Sequence, residues 1–300
     1  MDTSLFRFRN RDFSNFEVKL IRDVIVSCPG LSRQEIANTV CQLLQWRRPN
    51  GGLKTWECKG FLTHLESLGL FRQPKLRHGR PRGSRTHVPR TEQGEMQPKL
   101  IGTPRTVAPI RIVRVADKEK HELWRELVGR YHYLGYKVPF GAQLRYLIEL
   151  AQPKPTIAGC LQLSSPAWRI AVRDRWIGWT DRVRLQNLQR VVSNSRFLLL
   201  PWVEVRNLAS IVLSQISRRC SAEWEATFGI RPLLLETLVD SGYLGTSYRA
   251  ANWIDLGQTQ GRGRMDRYHR CHGARPKRVF VYPLARNARE KLRFGSSDEG

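Results

Sequence analysis

Between Arg72 and Arg85 the chain loses all hydrophobic periodicity. The run Arg72-Gln73-Pro74-Lys75-Leu76-Arg77-His78-Gly79-Arg80-Pro81-Arg82-Gly83-Ser84-Arg85 is rich in Pro, Gly and Arg, a composition that neither a helix interior nor a central strand sustains. Periodic segments lie on both sides. The sequence therefore divides into a first unit over residues 1–78, a basic linker over 79–108, a main domain over 109–290 and a flexible tail over 291–300. The linker is expected to be extended and mobile. A chain of 300 residues suits this division, because domains typically run to roughly 100–200 residues.

The first unit carries helical signals. A cap at Phe13–Glu17 precedes Val18, Ile21, Ile25 and Val26 at helical spacing. Ser32 with Glu35 reads as a capping box opening a second helix, whose apolar face is Ile36, Val40, Leu43 and Leu44. A third helix is expected from about Leu53 to Leu68, with Trp56, Phe61, Leu62 and Leu65 inward and Gly69 past its end. Leu70-Phe71-Arg72 reads as a short strand. Three helices and a terminal strand make a winged-helix-like unit, whose third helix would enter a DNA groove. Lys54, Lys59 and His64 would lie there, with Arg33, Arg47 and Arg48 on phosphates. A small packing unit without nucleic acid is the alternative.

The main domain alternates differently. Ile110–Val115 reads as a strand and Asp117 opens a long helix through Tyr131. Leu144–Leu150 and Thr156–Leu163 read as an antiparallel hairpin. Then follow a strand at Arg196–Leu200, a helix from Asn207 to Trp224, a strand at Pro232–Asp240, a helical turn at Ser247–Ala251, and strands at Trp253–Leu256 and Arg278–Tyr282. The order is β-α-β-β-(insert)-β-α-β-α-β-β, a mixed α/β domain.

Charge sets the partner class. There are 51 Lys+Arg against 26 Asp+Glu, a net +25, where solubility alone asks for a magnitude of roughly 2–8 in a small domain. Such an excess fits a polyanion, most naturally DNA. No apolar run approaches the roughly 20 residues of a membrane span, and the N-terminus has no apolar signal core, so a cytoplasmic protein is expected. The six Cys are scattered without a C-x-x-C pair. Cys271 with His269 and His272 lacks a second ligand pair, so no metal is expected there. Dispersed Cys suit a reducing compartment.

Several residues are candidates for chemistry. Glu236 and Asp240 lie four apart on an expected strand and so face the same way. With a third carboxylate, Asp255 or Asp181, they could hold Mg²⁺ for phosphodiester cleavage; salt bridging to the surplus Arg is the alternative. Gly257–Arg264 is Gly-rich and basic without a P-loop ending. Its Arg262 and Arg264, with Arg267, Arg270 and Lys277 beyond, read as a nucleic-acid contact. The linker's Arg80, Arg82 and Arg85 fit a minor groove or a phosphate track. Arg145, Arg196 and Arg249 come from separate elements. Each should find a carboxylate such as Glu236 or Asp240, or a ligand phosphate, because an unpaired buried Arg is costly. Arg145 and Arg196, with Asn207 and Asn252, outline a polar pocket. His132, at the end of a long helix, is a packed residue or a base.

Two resemblances add to this. The element order resembles the GCN5-related N-acetyltransferase fold, as does Tyr248-Arg249-Ala250-Ala251-Asn252-Trp253, where an aromatic falls at the expected step after a tyrosine. That resemblance implies Tyr248 as general acid and acyl-CoA phosphates at the start of the 207–224 helix. The stretch Val205–Ser210 departs from it, having none of the glycines that let a backbone approach a pyrophosphate, so acyl-CoA is not expected. The second resemblance covers nearly the whole chain. Leu244–Arg264, Tyr131–Tyr136, Trp176–Trp179, Asn194–Pro201 and Lys277–Leu284 are similar to the Druantia anti-phage DruA family, and Phe13–Leu70 is similar to the region preceding that domain. It implies bacterial defence against phage, with partners such as a helicase, or a mobile-element relative that processes DNA. It assigns no catalytic residue.

Overall fold

A computed structural model of the chain describes residues 5–27, 32–49, 52–75, 88, 90–136, 141–259 and 275–294. The N-terminal unit opens with a hairpin in which β1 (Leu5–Phe8) and β2 (Arg11–Ser14) pair antiparallel. Reciprocal capping starts α1 (Asn15–Ser27): the Glu17 amide donates to Ser14 Oγ at 3.2 Å, and the Ser14 amide donates to the Glu17 carboxylate at 3.0 Å. The expected Ser32–Glu35 capping box opens α2 (Arg33–Leu43). After α3 (Thr55–Ser67) the chain turns at Gly69, whose φ of 74° suits glycine. Phe13, Ile21, Val24, Ile36, Val40, Phe61, Leu62 and Leu65 close one core.

Three expectations for this unit fail. Val26 and Trp56 are 70% and 67% exposed. Trp56 lies across α3 from the buried stripe Cys58–Phe61–Leu62–Leu65, and Val26 lies to the side of the Val18–Ile21–Ile25 stripe on α1. Leu70–Arg72 forms no strand, and the described hairpin precedes the helices. The run that begins at Arg72 also starts packed. Gln73 is buried, its amide donating to Glu66 at 2.6 Å and its side-chain nitrogen at 2.9 Å.

Residues 90–108 do not form a free spacer. Thr91 caps a 3-10 turn at Glu92–Gly94. Its amide and hydroxyl donate to the buried Glu126 carboxylate at 2.8 and 2.7 Å. Then β3 (Leu100–Gly102) pairs parallel with β8 (Val203–Val205) of the main domain.

The main domain follows the expected order. β4 (Ile110–Arg114) leads to α4 (Lys118–Tyr131), capped by the Asp117 carboxylate, which accepts from the Lys120 amide at 2.7 Å. β5 (Gln143–Leu150) and β6 (Thr156–Ser164) form the antiparallel hairpin. The insert holds α5 (Ala171–Ile177) and α6 (Asp181–Asn187). β7 (Val191–Leu199), α7 (Leu208–Phe228), β9 (Leu234–Asp240), α8 (Thr246–Ala250), β10 (Ile254–Gln258) and β11 (Lys277–Pro283) complete it. The seven strands run in the order β10-β11-β9-β7-β6-β5-β4. Only the β7–β9 pairing in this sheet is parallel, and it lasts from Val191–Ser193 against Leu234–Glu236 before the strands part. The domain is mixed α/β with the element order of the acetyltransferase-like fold.

Close packing explains one glycine. A Cβ at Gly159 on β6 would sit 2.1 Å from the Leu198 carbonyl of β7. Residues 291–294 of the expected flexible tail belong to a helix: α9 (Ala288–Phe294) buries Ala288 and Leu292 with Ile177 and Val281, and Asn187 donates to the Leu292 carbonyl. Leu185 of α6 joins the N-terminal core, so the helical unit packs against the insert.

Candidate anion site and nucleic-acid interface

Arg145, Gln162 and Arg196 stand directly opposite one another on β5, β6 and β7. Cross-strand partners share a face, here the one toward α4. A bulge in β7 makes this possible. Ser195 is the extra residue, so Arg196 faces Gln162 while Asn194, only two residues away, faces Leu163 on the other side. Gln162 is 1% exposed. It accepts from Arg145 Nε at 3.4 Å and donates to Ser195 Oγ at 3.0 Å.

The two arginines have neutral partners. Arg145, 8% exposed, donates to Gln143 at 2.9 Å and to the Tyr136 hydroxyl at 3.5 Å, and its Nη1 bonds His121 Nε2. Its guanidinium lies 5.1 Å from the Trp124 ring. Arg196 donates to its neighbour's Ser195 carbonyl at 2.6 Å and to the Gly135 carbonyl at 3.4 Å. Among the described residues neither forms an ion pair with a carboxylate. Burial lowers the pKa of both.

His132 ends α4 beside this row, and its Nδ1 accepts from the Leu134 amide at 3.1 Å. Burial first, and the Arg196 charge second, push its pKa down to about 4. At pH 7 it is therefore neutral, with its proton on Nε2. Its ring stacks on Tyr133 at 4.8 Å, and Tyr133 meets Tyr243 at 5.6 Å. Tyr133 and Tyr243 are 51% and 57% exposed.

The carboxylate pair is not a metal site. Glu236 and Asp240 share a face of β9, but four residues of strand separate their Cα atoms by about 13 Å. Glu236 is fully buried and accepts from Arg173 Nη1 at 2.8 Å. Arg173 is further held by Asp174 at 2.8 Å and by the Ala167 and Trp168 carbonyls. Asp240 stands opposite Lys277 and accepts from the Gly242 amide. The proposed third ligands are also engaged, Asp181 by Arg169 and Arg184, Asp255 by Arg249 and Arg278. Among the described residues no cluster of His, Cys, Asp and Glu could hold a metal; Cys271 and its flanking histidines lie outside them.

The residues also do not fit an acyl-CoA. Tyr248 is buried, its hydroxyl between Thr237 Oγ1 at 3.4 Å and Asn194 Oδ1 at 3.5 Å. Phe280 stacks on its ring and burial pushes the phenol up to about 12. Thr237 Oγ1 donates to the Asn194 carbonyl at 3.0 Å, tying β7 to β9 where their pairing ends. Asn207 begins α7 at φ 60°, placing a side chain where a pyrophosphate would need open backbone. Asn207 and Asn252 are exposed. Asn207 begins the helix on the opposite sheet face and Asn252 follows α8, so neither joins Arg145 and Arg196 in a pocket.

The nucleic-acid candidates separate by environment. Arg33 is held in place, donating to the Pro74 carbonyl at 2.8 Å and lying 3.7 Å from Glu66. Arg249 is tied to Asp255 at 2.7 Å and to the Leu244 carbonyl. Lys277 is half-buried at the start of β11. Lys54, the N-cap of α3, and Lys59, one turn beyond the outward-facing Trp56, are half-buried. The Arg9 guanidinium lies 4.7 Å from the Trp56 ring. Arg80, Arg82, Arg85, Arg262, Arg264, Arg267 and Arg270 lie outside the described residues. Sequence reasoning missed Arg9, Gln162 and Arg173. The position of Trp56, across the helix from Phe61 and Leu65, was the available sign that it faces out.

The family model of Druantia protein DruA matches residues 71–270. The chain belongs to the Druantia protein DruA family. The DruA match contains the Arg145–Gln162–Arg196 row and the Arg173–Glu236 pair, and leaves the N-terminal helical unit outside. A curated relative, the Druantia protein DruA of Escherichia coli (strain UMEA 4076-1), is 30% identical over 94 residues, which is 30% of this chain and 23% of that protein. Among solved structures, this DruA-family chain is similar to the Vibrio cholerae spermidine/spermine N-acetyltransferase SpeG with manganese, at 7% identity over 58% of this chain and 92% of the other, with a TM-score of 0.39. The Vibrio cholerae spermidine N-acetyltransferase with CoA and spermine gives 8% identity, 59% and 96% coverage, and a TM-score of 0.38.

Proposed function

We propose that this DruA-family chain is a DNA-binding component of a bacterial anti-phage defence system. It acts on DNA together with partner proteins of that system, a helicase among them. The family supports the defence role and the net charge of +25 supports the polyanion. The observation that carries DNA contact is the outer face of α3. There Trp56 is 67% exposed beneath the Arg9 guanidinium, with Lys59 one turn further along the helix. An aromatic ring flanked by cations is the combination that stacks on bases while following phosphates.

The test is binding of the full chain to labelled double- and single-stranded DNA across a salt series, with and without Mg²⁺. Salt-sensitive binding with intact strands is expected. Trp56→Ala should weaken single-strand binding about 10-fold, one stacked base contributing roughly 1–3 kcal/mol. Absence of binding at low salt would overturn the reading, and Mg²⁺-dependent cleavage would replace a binding role with an enzymatic one.

A further inference from the structure

The insert uses up its own carboxylates. Asp181 is held by Arg169 at 2.7 Å and by Arg184 at 2.9 Å, and Asp174 by Arg173 at 2.8 Å. Arg175, exposed on α5 between Asp174 and Trp176, is left without one. The C-terminal helix adds to this excess. Residues 286–293 carry Arg286, Arg289, Lys291 and Arg293 against the one carboxylate of Glu290. Among the described residues neither Arg175 nor any of these four cations forms an ion pair, whereas the buried Arg173 and Arg184 of the insert both do.

Packing brings these guanidiniums to one surface. Ala288 and Leu292 of α9 are buried in the core that also holds Ile177 of α5. Arg289 and Arg293 each follow one of those buried residues and so share the flank beside α5. The Arg289 guanidinium lies 5.6 Å from the Trp176 ring. Arg293 Nε lies 3.5 Å from the point where a Cβ on Gly178 would stand. Both arginines therefore reach the C-terminal end of α5. Arg175 stands there too, facing outward across the helix from the buried Arg173 and Ile177.

We propose that this α5–α9 surface is a second nucleic-acid contact, in which Arg175, Arg289 and Arg293 bind phosphates of the DNA backbone. The inference rests on the DNA reading above and adds a surface outside the helical unit. Trp176 packs half-buried against the core, with Arg289 over its ring, so it does not offer the open face that Trp56 has. It holds a guanidinium in place, and a guanidinium resting on a ring keeps N–H donors for phosphate oxygens. Phosphate contacts position DNA without reading its bases. The two surfaces divide the work. Trp56 stacks on an unpaired base, and the α5–α9 arginines follow the backbone of a single strand or a duplex alike.

The test is a salt series of binding by the full chain to a fluorescent duplex and to a single strand of the same length, with thermal melting of each variant. Arg289→Ala combined with Arg293→Ala should weaken both forms roughly 10-fold at low salt. The plot of log K against log salt should become shallower by about 1.8 on duplex and about 1.4 on single strand, the loss of two phosphate contacts. Arg175→Ala leaves the packing of α9 untouched and should remove about one contact from the slope. Arg289→Lys combined with Arg293→Lys keeps both charges and should restore the native slope. Trp56→Ala should weaken the single strand alone and change neither slope. Native slopes in the alanine pair and in Arg175→Ala would overturn this inference and leave the DNA reading standing, whereas no binding by the native protein at low salt would overturn both. A lysine pair as weak as the alanine pair would overturn the phosphate role. Native DNA slopes with reduced binding to phosphatidylglycerol vesicles would assign the surface to a membrane and overturn it equally.

Discussion

Arg173 on α5 and Glu236 on β9 form an ion pair at 2.8 Å in which neither side chain has any exposed surface. Burial pushes the Arg173 pKa down, but the charges of Glu236 and Asp174 and their hydrogen bonds outweigh it, and the pKa stands above the ordinary guanidinium value. The pair joins the insert to the centre of the sheet. It is a structural contact, with Glu236 removed from any role as a metal ligand.

Glu236→Ala should therefore destabilise the fold by about 3–5 kcal/mol, because it leaves Arg173 buried without its main partner. Denaturant titration followed by circular dichroism measures this. A loss of function in Glu236→Ala should track the loss of folded protein, and Glu236→Gln, which keeps the shape and an acceptor oxygen, should lose less of both.

Glu126 holds segment 90–102 onto α4. Burial would raise its pKa, but bonds from the Thr91 amide, the Thr91 hydroxyl and Arg130 outweigh burial and lower it below its ordinary 4.5. A depressed folded-state carboxyl contributes stability that is present above the unfolded value and lost as pH falls through the folded one. Hydrogen-exchange protection at Thr91 and Gly94, taken relative to the unfolded chain at each pH, should accordingly be high at neutral pH and fall as the pH drops below 4.5. Thr91→Ala should cost roughly 1–3 kcal/mol of protection at neutral pH.

Tyr248 should behave as a packed side chain. Its phenol, pushed up to about 12 by burial, should show no ionisation by absorbance at neutral pH. Tyr248→Phe removes two long hydrogen bonds and should cost under about 1 kcal/mol, while Thr237→Val, which breaks the 3.0 Å tie to Asn194, should cost more. A larger effect of Tyr248→Phe on function than on stability would contradict this.

Asp255 restrains two guanidiniums at the β10–β11 edge, Arg249 at 2.7 Å and Arg278 at 3.1 Å. Asp255→Asn should free both for phosphate. Duplex binding should tighten a few-fold at low salt, with the salt slope steeper by about 1–2 contacts. An unchanged slope would place this edge outside the DNA interface.

The local chemistry of the chain was legible from its residues. Ser32 with Glu35, Asp117 before α4, and the hairpin of β5 and β6 formed as expected, since caps and periodicity act within a few residues. The outward Trp56 was also written in helical spacing, once Phe61 and Leu65 define the inner stripe. The candidate site was legible only in its ingredients: Arg145 and Arg196 were named, with a ligand phosphate as one possible partner, but Asn207 and Asn252 were grouped with them. Tertiary structure decided the grouping. Arg145, Gln162 and Arg196 meet because β5, β6 and β7 adopt one register, and the extra residue at Ser195 turns Arg196 to the α4 face. Glu236 finds Arg173 63 residues away, and segment 90–102 docks through Glu126 and β8 rather than spanning solvent. Strand register reverses every side chain with a shift of one residue. It is set by contacts distant in sequence, so the partners of a buried charge are decided only when the sheet closes.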